Sequence, residues 1–232
     1  MLLVRRFLRG QHEREQFRME MEQARQVQQM LIPEALPMVP GLTLESEYRP
    51  TQRVGGDFFQ ILAHPSDGSV LIVVGDVTGH GLQAAMLVSL LVGAIRSHSE
   101  TNFDPLSLLQ SLNRRLLGRG QANATCLALR IAPDGLATLA NAGHLPPYLN
   151  GREMSMEGAL PLGTTEGAEF AGMRFQLQPG DRLTFVSDGV VEATNEKREL
   201  FGFARTQQIS NQSAATIAET AQKFGQDRKS VV

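Results

Sequence analysis

VLIVVGDVTGHGLQAAMLVSLL, residues 70–91, changes character twice in one short span. Val70–Val74 is an unbroken run of branched apolar residues, the pattern of a strand covered on both faces. The run breaks at Gly75-Asp76 and again at Gly79-His80-Gly81, then resumes with helical periodicity from Leu82. A carboxylate at such a junction leaves water at a cost that hydrogen bonds or a cation must offset. Asp76 therefore reads in two ways: it caps the helix or shapes the turn, or it holds a metal ion.

The same grammar recurs. Asp57 follows Gly55-Gly56 and opens the apolar segment Phe58–Leu62, Asp188 ends the apolar run Leu183–Ser187 before Gly189, and Asp227 precedes a last apolar segment at Ser230–Val232. Each Asp-Gly pair alone marks an ordinary turn. Repeated at strand ends, they form an oxygen-only donor set that suits the hard cations Mg²⁺ or Mn²⁺ and not zinc. Two such ions about 4 Å apart can activate a water and polarise a phosphoryl group together.

Between these points the chain punctuates itself clearly. Leu42–Arg49 alternates apolar and polar residues as a strand does, and Asp67-Gly68 turns the Phe58–Leu62 strand back into the central one. Leu82–Ser97 is helical, and Asp104-Pro105 caps and opens a second helix to about Leu117. A meander follows, with strands at Ala124–Ile131, Leu136–Asn141 and Tyr148-Leu149, then an irregular 152–168, strands at Phe170–Leu177 and Leu183–Ser187, and a final helix over Ser213–Phe224. Antiparallel strands with helices in two groups predict an α+β sandwich rather than a doubly wound parallel sheet.

Residues 11–31 are rich in Gln, Glu, Arg and Met and lack proline and glycine, a strong helix composition. Phe17, Met21, Ala24, Gln28 and Leu31 recur at heptad spacing, so the segment is either a dimerising coiled coil or one amphipathic helix lying on its own domain. Pro33, Pro37 and Pro40-Gly41 end it. The expected division is a helical linker over 1–33 and one domain over 34–232.

The formal net charge of −2 gives no electrostatic footprint for nucleic acid. A single cysteine, Cys126, rules out an internal disulfide framework and fits a reducing cytoplasm. No apolar run spans a bilayer, although MLLVRRFLRG has the look of a stub or a juxtamembrane piece, which leaves membrane association through an upstream segment open.

GGDFF, GDVTGHGLQAAM, NAGHLPPYL, LPLG and GDRLTFVSDGVVEATN, in this order, resemble the PPM-type metal-dependent Ser/Thr protein phosphatases. More narrowly they are similar to the bacterial branch of stage II sporulation protein E and the RsbU-like regulators, and the likeness runs from about Ala24 to the end. The resemblance implies a central antiparallel β-sandwich with helices on both outer faces and metals at one end. It implies that Asp76 bridges two ions, that the Val77 carbonyl completes one of them, that Asp188 and Asp227 bind the other, and that Asp57 contributes directly or through water. The reaction implied is hydrolysis of phosphoserine or phosphothreonine by water activated between two Mn²⁺ or Mg²⁺ ions. The implied substrate is a phosphorylated partner protein, specifically an anti-sigma-factor antagonist of the STAS type in a partner-switching stress pathway. An upstream sensor or activator would act through the N-terminal helix, in a homodimer.

Thr78 and Thr125 are candidates for supporting the ligand carboxylates, and His80 for donating a proton to the leaving group or for bonding only backbone. His144 reads as structural, and Arg49 and Arg53 as solvated cations or as contacts for a phosphate. The chain departs from the branch at Gln60, commonly acidic there, and at Arg228, where the branch often has a second Asp. Those departures keep two rivals in view: a weak or inactive domain that binds a phosphoprotein, and a hydrolase of small phosphate esters.

Overall fold

The computed structural model describes Glu15, Met19, Glu22, Arg25, Gln26 and residues 28–33, 35–49, 55–119 and 122–226. Among the described residues, eight strands form two antiparallel sheets. β1 (Asp57–Ala63), β2 (Val70–Val77), β3 (Ala124–Ile131) and β4 (Leu136–Ala142) run as a meander; β5 (Tyr148–Leu149), β6 (Arg152–Glu153), β7 (Gly172–Gln176) and β8 (Leu183–Thr184) follow. The larger sheet has the order β1-β2-β3-β4-β7 and the smaller β6-β5-β8.

Side-chain parity builds three layers around these sheets. Leu71, Val73 and Val77 of β2, with Ala124, Cys126 and Ala128 of β3, face helices α1 (Leu82–Ser99) and α2 (Pro105–Leu116). Their alternates Val70, Ile72, Leu127, Leu129 and Ile131 face the smaller sheet, where Leu183 and Phe185 meet them. On the far side Tyr148 and Val186 pack against Ile217 of α5 (Ala214–Gln226), which follows the short α3 (Asp188–Val191) and α4 (Gly202–Ile209). Each fully buried Leu, Ile or Val contributes about 1.5–3 kcal/mol, so β2 and β3, covered on both faces, anchor the fold. This is the sandwich with helices on both outer faces that the motifs imply.

The local signals explain the helices. Asp104 caps α2 by accepting from the Ser107 amide at 2.8 Å, with Pro105 at its first position. α1 starts without a side-chain cap at Gly81, whose φ of 80° lies in the left-handed region that glycine adopts freely.

Three expectations change. Leu42–Arg49 is not a strand: Leu42, Leu44 and Tyr48 are half-buried between exposed neighbours, but its one ladder contact is the bridge from Leu42 to Val39. Alternation records burial on one side, and this segment is held by side chains instead, Glu45 accepting from the Ala214 amide at 3.2 Å and Arg49 donating to Gln222 at 2.9 Å. The Leu183–Ser187 strand ends at Thr184, because its partner β5 is preceded by Pro146-Pro147, which have no amide hydrogens to continue the ladder. The Phe170–Leu177 strand narrows to Gly172–Gln176, the part opposite Leu136–Ala140. Helix α4 went unread. Its start at Phe201 has no side-chain cap to announce it.

The described residues at 28–31 end a helix. Gln28 is 2% exposed and donates to the Gly55 and Asp57 carbonyls at 2.9 and 3.3 Å. Leu31 packs against the core beneath α1. The end of the heptad pattern therefore lies on its own domain; Phe17, Met21 and Ala24 lie outside the described residues. Among the described residues no helix is long and apolar enough to cross a membrane.

Candidate active site

The β1–β2 register sets Asp57 directly opposite Asp76, and the β2–β3 register sets Asp76 opposite Thr125. By parity the carboxylates share the face of Ile61 and Ile72, so they stand at one end of the inter-sheet core. Gly56 makes this junction possible. Its carbonyl accepts from the Val77 amide at 3.1 Å, and a Cβ there would fall on the Val77 carbonyl oxygen and the Asp76 carboxylate. Asp188 arrives from the other sheet as the first residue of α3, and Gly189 beside it lies close to the Asp57 carboxylate.

These carboxylates disturb one another. Burial, and then Asp188, raise Asp57 to about 6 against a hydrogen bond from Ser187; burial, then Asp57 and Asp188, raise Asp76 to about 7. Glu192, at the end of α3, adds to the strain on Asp76. The Oδ1 atom of Asp57 is buried and has no hydrogen-bond partner among the described residues. An unsatisfied carboxylate oxygen, mutual repulsion and an all-oxygen donor set fit a hard divalent cation. Among the described residues no group of three or more His, Cys, Asp or Glu is drawn together closely enough to hold an ion by itself. Asp227, expected to complete the set, lies outside the described residues, as do Arg228 and Arg53.

Thr125 meets not a carboxylate but His144, Oγ1 to Nδ1 at 2.9 Å. Asn141 clamps His144 from both sides, donating to its carbonyl at 2.9 Å and accepting from its amide at 2.8 Å. Burial pushes the imidazole down to about 4, so it is neutral at physiological pH. The NAGH segment is thus a brace behind the Asp76 strand end. Thr78 bonds the Asn123 backbone at 3.0 Å, and His80 is exposed in the turn that follows it. Arg49 is committed to Glu47 at 2.7 Å and to Gln222.

Gln60 is 1% exposed and, three residues after Asp57, lies on the opposite face of β1. It donates to the Leu31 carbonyl at 2.8 Å and accepts from Arg96 of α1 at 2.9 Å. The sequence reading missed two participants: Ser187, which bonds Asp57, and Glu192, whose charge acts on Asp76. Ser187 was the more accessible, adjoining Asp188 in the SDG turn.

A sandwich of antiparallel sheets clad in helices, with paired carboxylates at one end, is the architecture of the PP2C-type phosphatases. The chain belongs to the Stage II sporulation protein E (SpoIIE) family, which matches its residues 66–230. It is 27% identical to phosphoserine phosphatase RsbU of Bacillus subtilis (strain 168), over 78% of this chain and 56% of that protein. To protein IcfG of Synechocystis sp. (strain ATCC 27184 / PCC 6803 / Kazusa) it is 26% identical, over 86% of this chain and 37% of IcfG. The chain thus spans between about a third and somewhat over half of these curated relatives. Among solved structures, the RsbU and RsbW domains of Rv1364c from Mycobacterium tuberculosis align with a TM-score of 0.60 at 29% identity, over 77% of this chain and 50% of that one. RsbX in complex with magnesium shares the fold at 15% identity and a TM-score of 0.57, over 80% of this chain and 86% of that one.

Proposed function

We propose that this chain hydrolyses phosphoserine or phosphothreonine on a partner protein in the cytoplasm, with two Mg²⁺ or Mn²⁺ ions. The observation that carries the reading is the Asp57–Asp76 pair across β1 and β2, with an unsatisfied buried oxygen and Asp188 acting on both. Asp57, Asp76, Asp188, Asp227 and the Val77 carbonyl would hold the ions. When bound, the ions supply an activated water and a positive clamp for the phosphoryl group. The protein's part is placement: Gly56 lets the two strand ends touch, Ser187 orients Asp57, and the His144–Thr125 brace fixes the strand end opposite Asp76.

The resemblance to the RsbU-like branch supplies the finer class of substrate, a small phosphorylated STAS domain acting as anti-sigma-factor antagonist in partner switching. The helix ahead of the domain would take the upstream signal and pair two copies. Its last turn reaches the site directly, through Gln28 on the Gly55 and Asp57 carbonyls.

The test is release of phosphate from an aryl phosphate with Mn²⁺, with and without chelator, beside Asp76→Asn. Metal-dependent release lost in the variant supports the reading, and phosphorylated STAS domains follow as substrates. No release, or release indifferent to chelator and to the substitution, overturns it.

A further inference from the structure

The last turn of α2 carries Arg114 and Arg115, both exposed, and Arg119 follows just beyond it. Arg119 donates from Nε to the Arg115 carbonyl at 2.7 Å, which holds its guanidinium at the same helix end. Elsewhere, arginines on the surface are drawn to carboxylates: Arg49 to Glu47, Arg130 to Asp67 and Arg182 to Glu45. Among the described residues, no carboxylate lies in salt-bridge range of these three, the exposed Glu166 and Glu169 of the neighbouring loop included. A chain of contacts places this helix end. Asn113, 4% exposed, accepts from the Gly163 amide at 2.7 Å and donates to the Thr165 carbonyl at 3.0 Å. Leu162, next in that loop, bonds Ala124 in both directions at 2.8 and 3.2 Å, and Ala124 stands opposite Val77 in the β2–β3 register. The adjoining Asn123 carbonyl takes the Thr78 amide at 2.9 Å. The end of α2 is thus seated, through the 162–165 loop, at the strand end that carries Asp76.

We infer that this helix end is a docking surface for acidic residues flanking the phosphorylated side chain of a protein substrate. The inference rests on the phosphatase reading above and deepens it. The phosphoryl group itself belongs at Asp57 and Asp76, so what remains for the arginines is the charge around it. Guanidiniums match carboxylates fork to fork, and a rim of one sign raises the encounter rate of an oppositely charged partner by about 10- to 1000-fold at low salt. A membrane fits this face less well, because α2 spends Leu108, Leu109, Leu112 and Leu116 on the core and keeps no apolar face to insert. Basic residues in a last helical turn also complement the helix dipole. That role acts on stability and not on the choice of substrate, so the two are separable.

The test compares the full chain with Arg114→Gln/Arg115→Gln, and with Arg152→Gln/Arg174→Gln on the edge strands β6 and β7 as a variant of equal charge. Each is given, with Mn²⁺, an aryl phosphate, a phosphoserine peptide flanked by glutamates, and the same peptide flanked by glutamines, at low and at high salt. We expect the parent to favour the glutamate peptide by about tenfold in kcat/KM, through KM, with the preference fading as salt screens it. Arg114→Gln/Arg115→Gln should lose the preference and keep its aryl phosphate turnover, and the edge-strand variant should keep both. Equal use of the two peptides by the parent, a preference that survives Arg114→Gln/Arg115→Gln, or one lost equally in the edge-strand variant, overturns the inference and leaves the phosphatase standing. Binding of the parent to phosphatidylserine vesicles, lost in Arg114→Gln/Arg115→Gln and without a peptide preference, assigns the surface to a membrane and overturns it too. A parent that releases phosphate from none of the three substrates removes both readings.

Discussion

Gly56→Ala puts one methyl group where the two strand ends meet. Its Cβ would overlap the Val77 carbonyl oxygen and the Asp76 carboxylate, and would sit 2.8 Å from the Val77 nitrogen. Two of these three atoms are backbone, so no rotamer change relieves the contact. Restoring ordinary van der Waals separation requires the start of β1 to move about 1 Å away from β2. Forced overpacking of this kind costs about 1–3 kcal/mol, and a chain of this size loses about 2–4 °C of Tm per kcal/mol. The functional effect should be larger than the stability effect, because a displacement of about 1 Å at a catalytic group costs on the order of a hundredfold. The assay pairs thermal unfolding with calorimetric Mg²⁺ titration and Mn²⁺-dependent turnover. Gly55→Ala is the control, since among the described residues a Cβ there meets only the Asp57 amide nitrogen, at 3.9 Å. Gly56→Ala should keep its fold, with Tm lowered by roughly 3–10 °C, while losing most of its metal affinity. A variant that binds Mg²⁺ as tightly as the parent would refute the placement of Asp76 and Val77 against this glycine.

The pH dependence of the metal-free chain follows from the same carboxylates. Asp57 and Asp76 are raised to about 6 and about 7, so their contribution to stability is full below about pH 4 and is lost as pH rises through those values. Divalent ions compete with the protons, so Mg²⁺ affinity should climb over pH 6–7 and flatten the stability profile. Unfolding at pH 5 and pH 8 with chelator checks the sign, and a chelated chain more stable at pH 8 contradicts it. At the brace, Asn141→Ala strands the amide and carbonyl of buried His144 and should cost about 2–4 kcal/mol in urea unfolding; a loss under 1 kcal/mol would mean that water replaces both bonds.

What the sequence made legible was whatever periodicity and glycine punctuation encode directly. Val70–Val77 read as a doubly covered strand because both its faces carry apolar residues, and Asp104-Pro105 as a helix start because capping is local chemistry. Long-range pairings left no such trace. The His144–Thr125 contact joins residues 19 apart, and nothing near Thr125 distinguishes a hydroxyl facing imidazole from one facing carboxylate. Helix α4 stayed hidden behind an uncapped start and a polar residue at its buried position, Thr206, which satisfies itself on the Gly202 carbonyl at 2.9 Å.

Parity settles what Gln60 means. On a strand, a residue three positions from Asp57 faces the other side of the sheet, so an amide there cannot sit beside Asp57 at the inner face. Gln60 faces the helices and joins three elements at once: β1, the Leu31 carbonyl at the end of the N-terminal helix, and Arg96 of α1. Gln28 fastens the same helix to the Gly55 and Asp57 carbonyls. Both glutamines therefore bind the upstream helix to the strand that presents Asp57, one from each side of the helix end. Glutamine suits that junction because it donates to a carbonyl and accepts from a guanidinium with no charge to bury, whereas a carboxylate at Gln60 would face the Leu31 carbonyl with no proton to offer. The departure at Gln60 is a change in how the preceding helix is seated on the domain, and it leaves the acidic complement at the inner face intact.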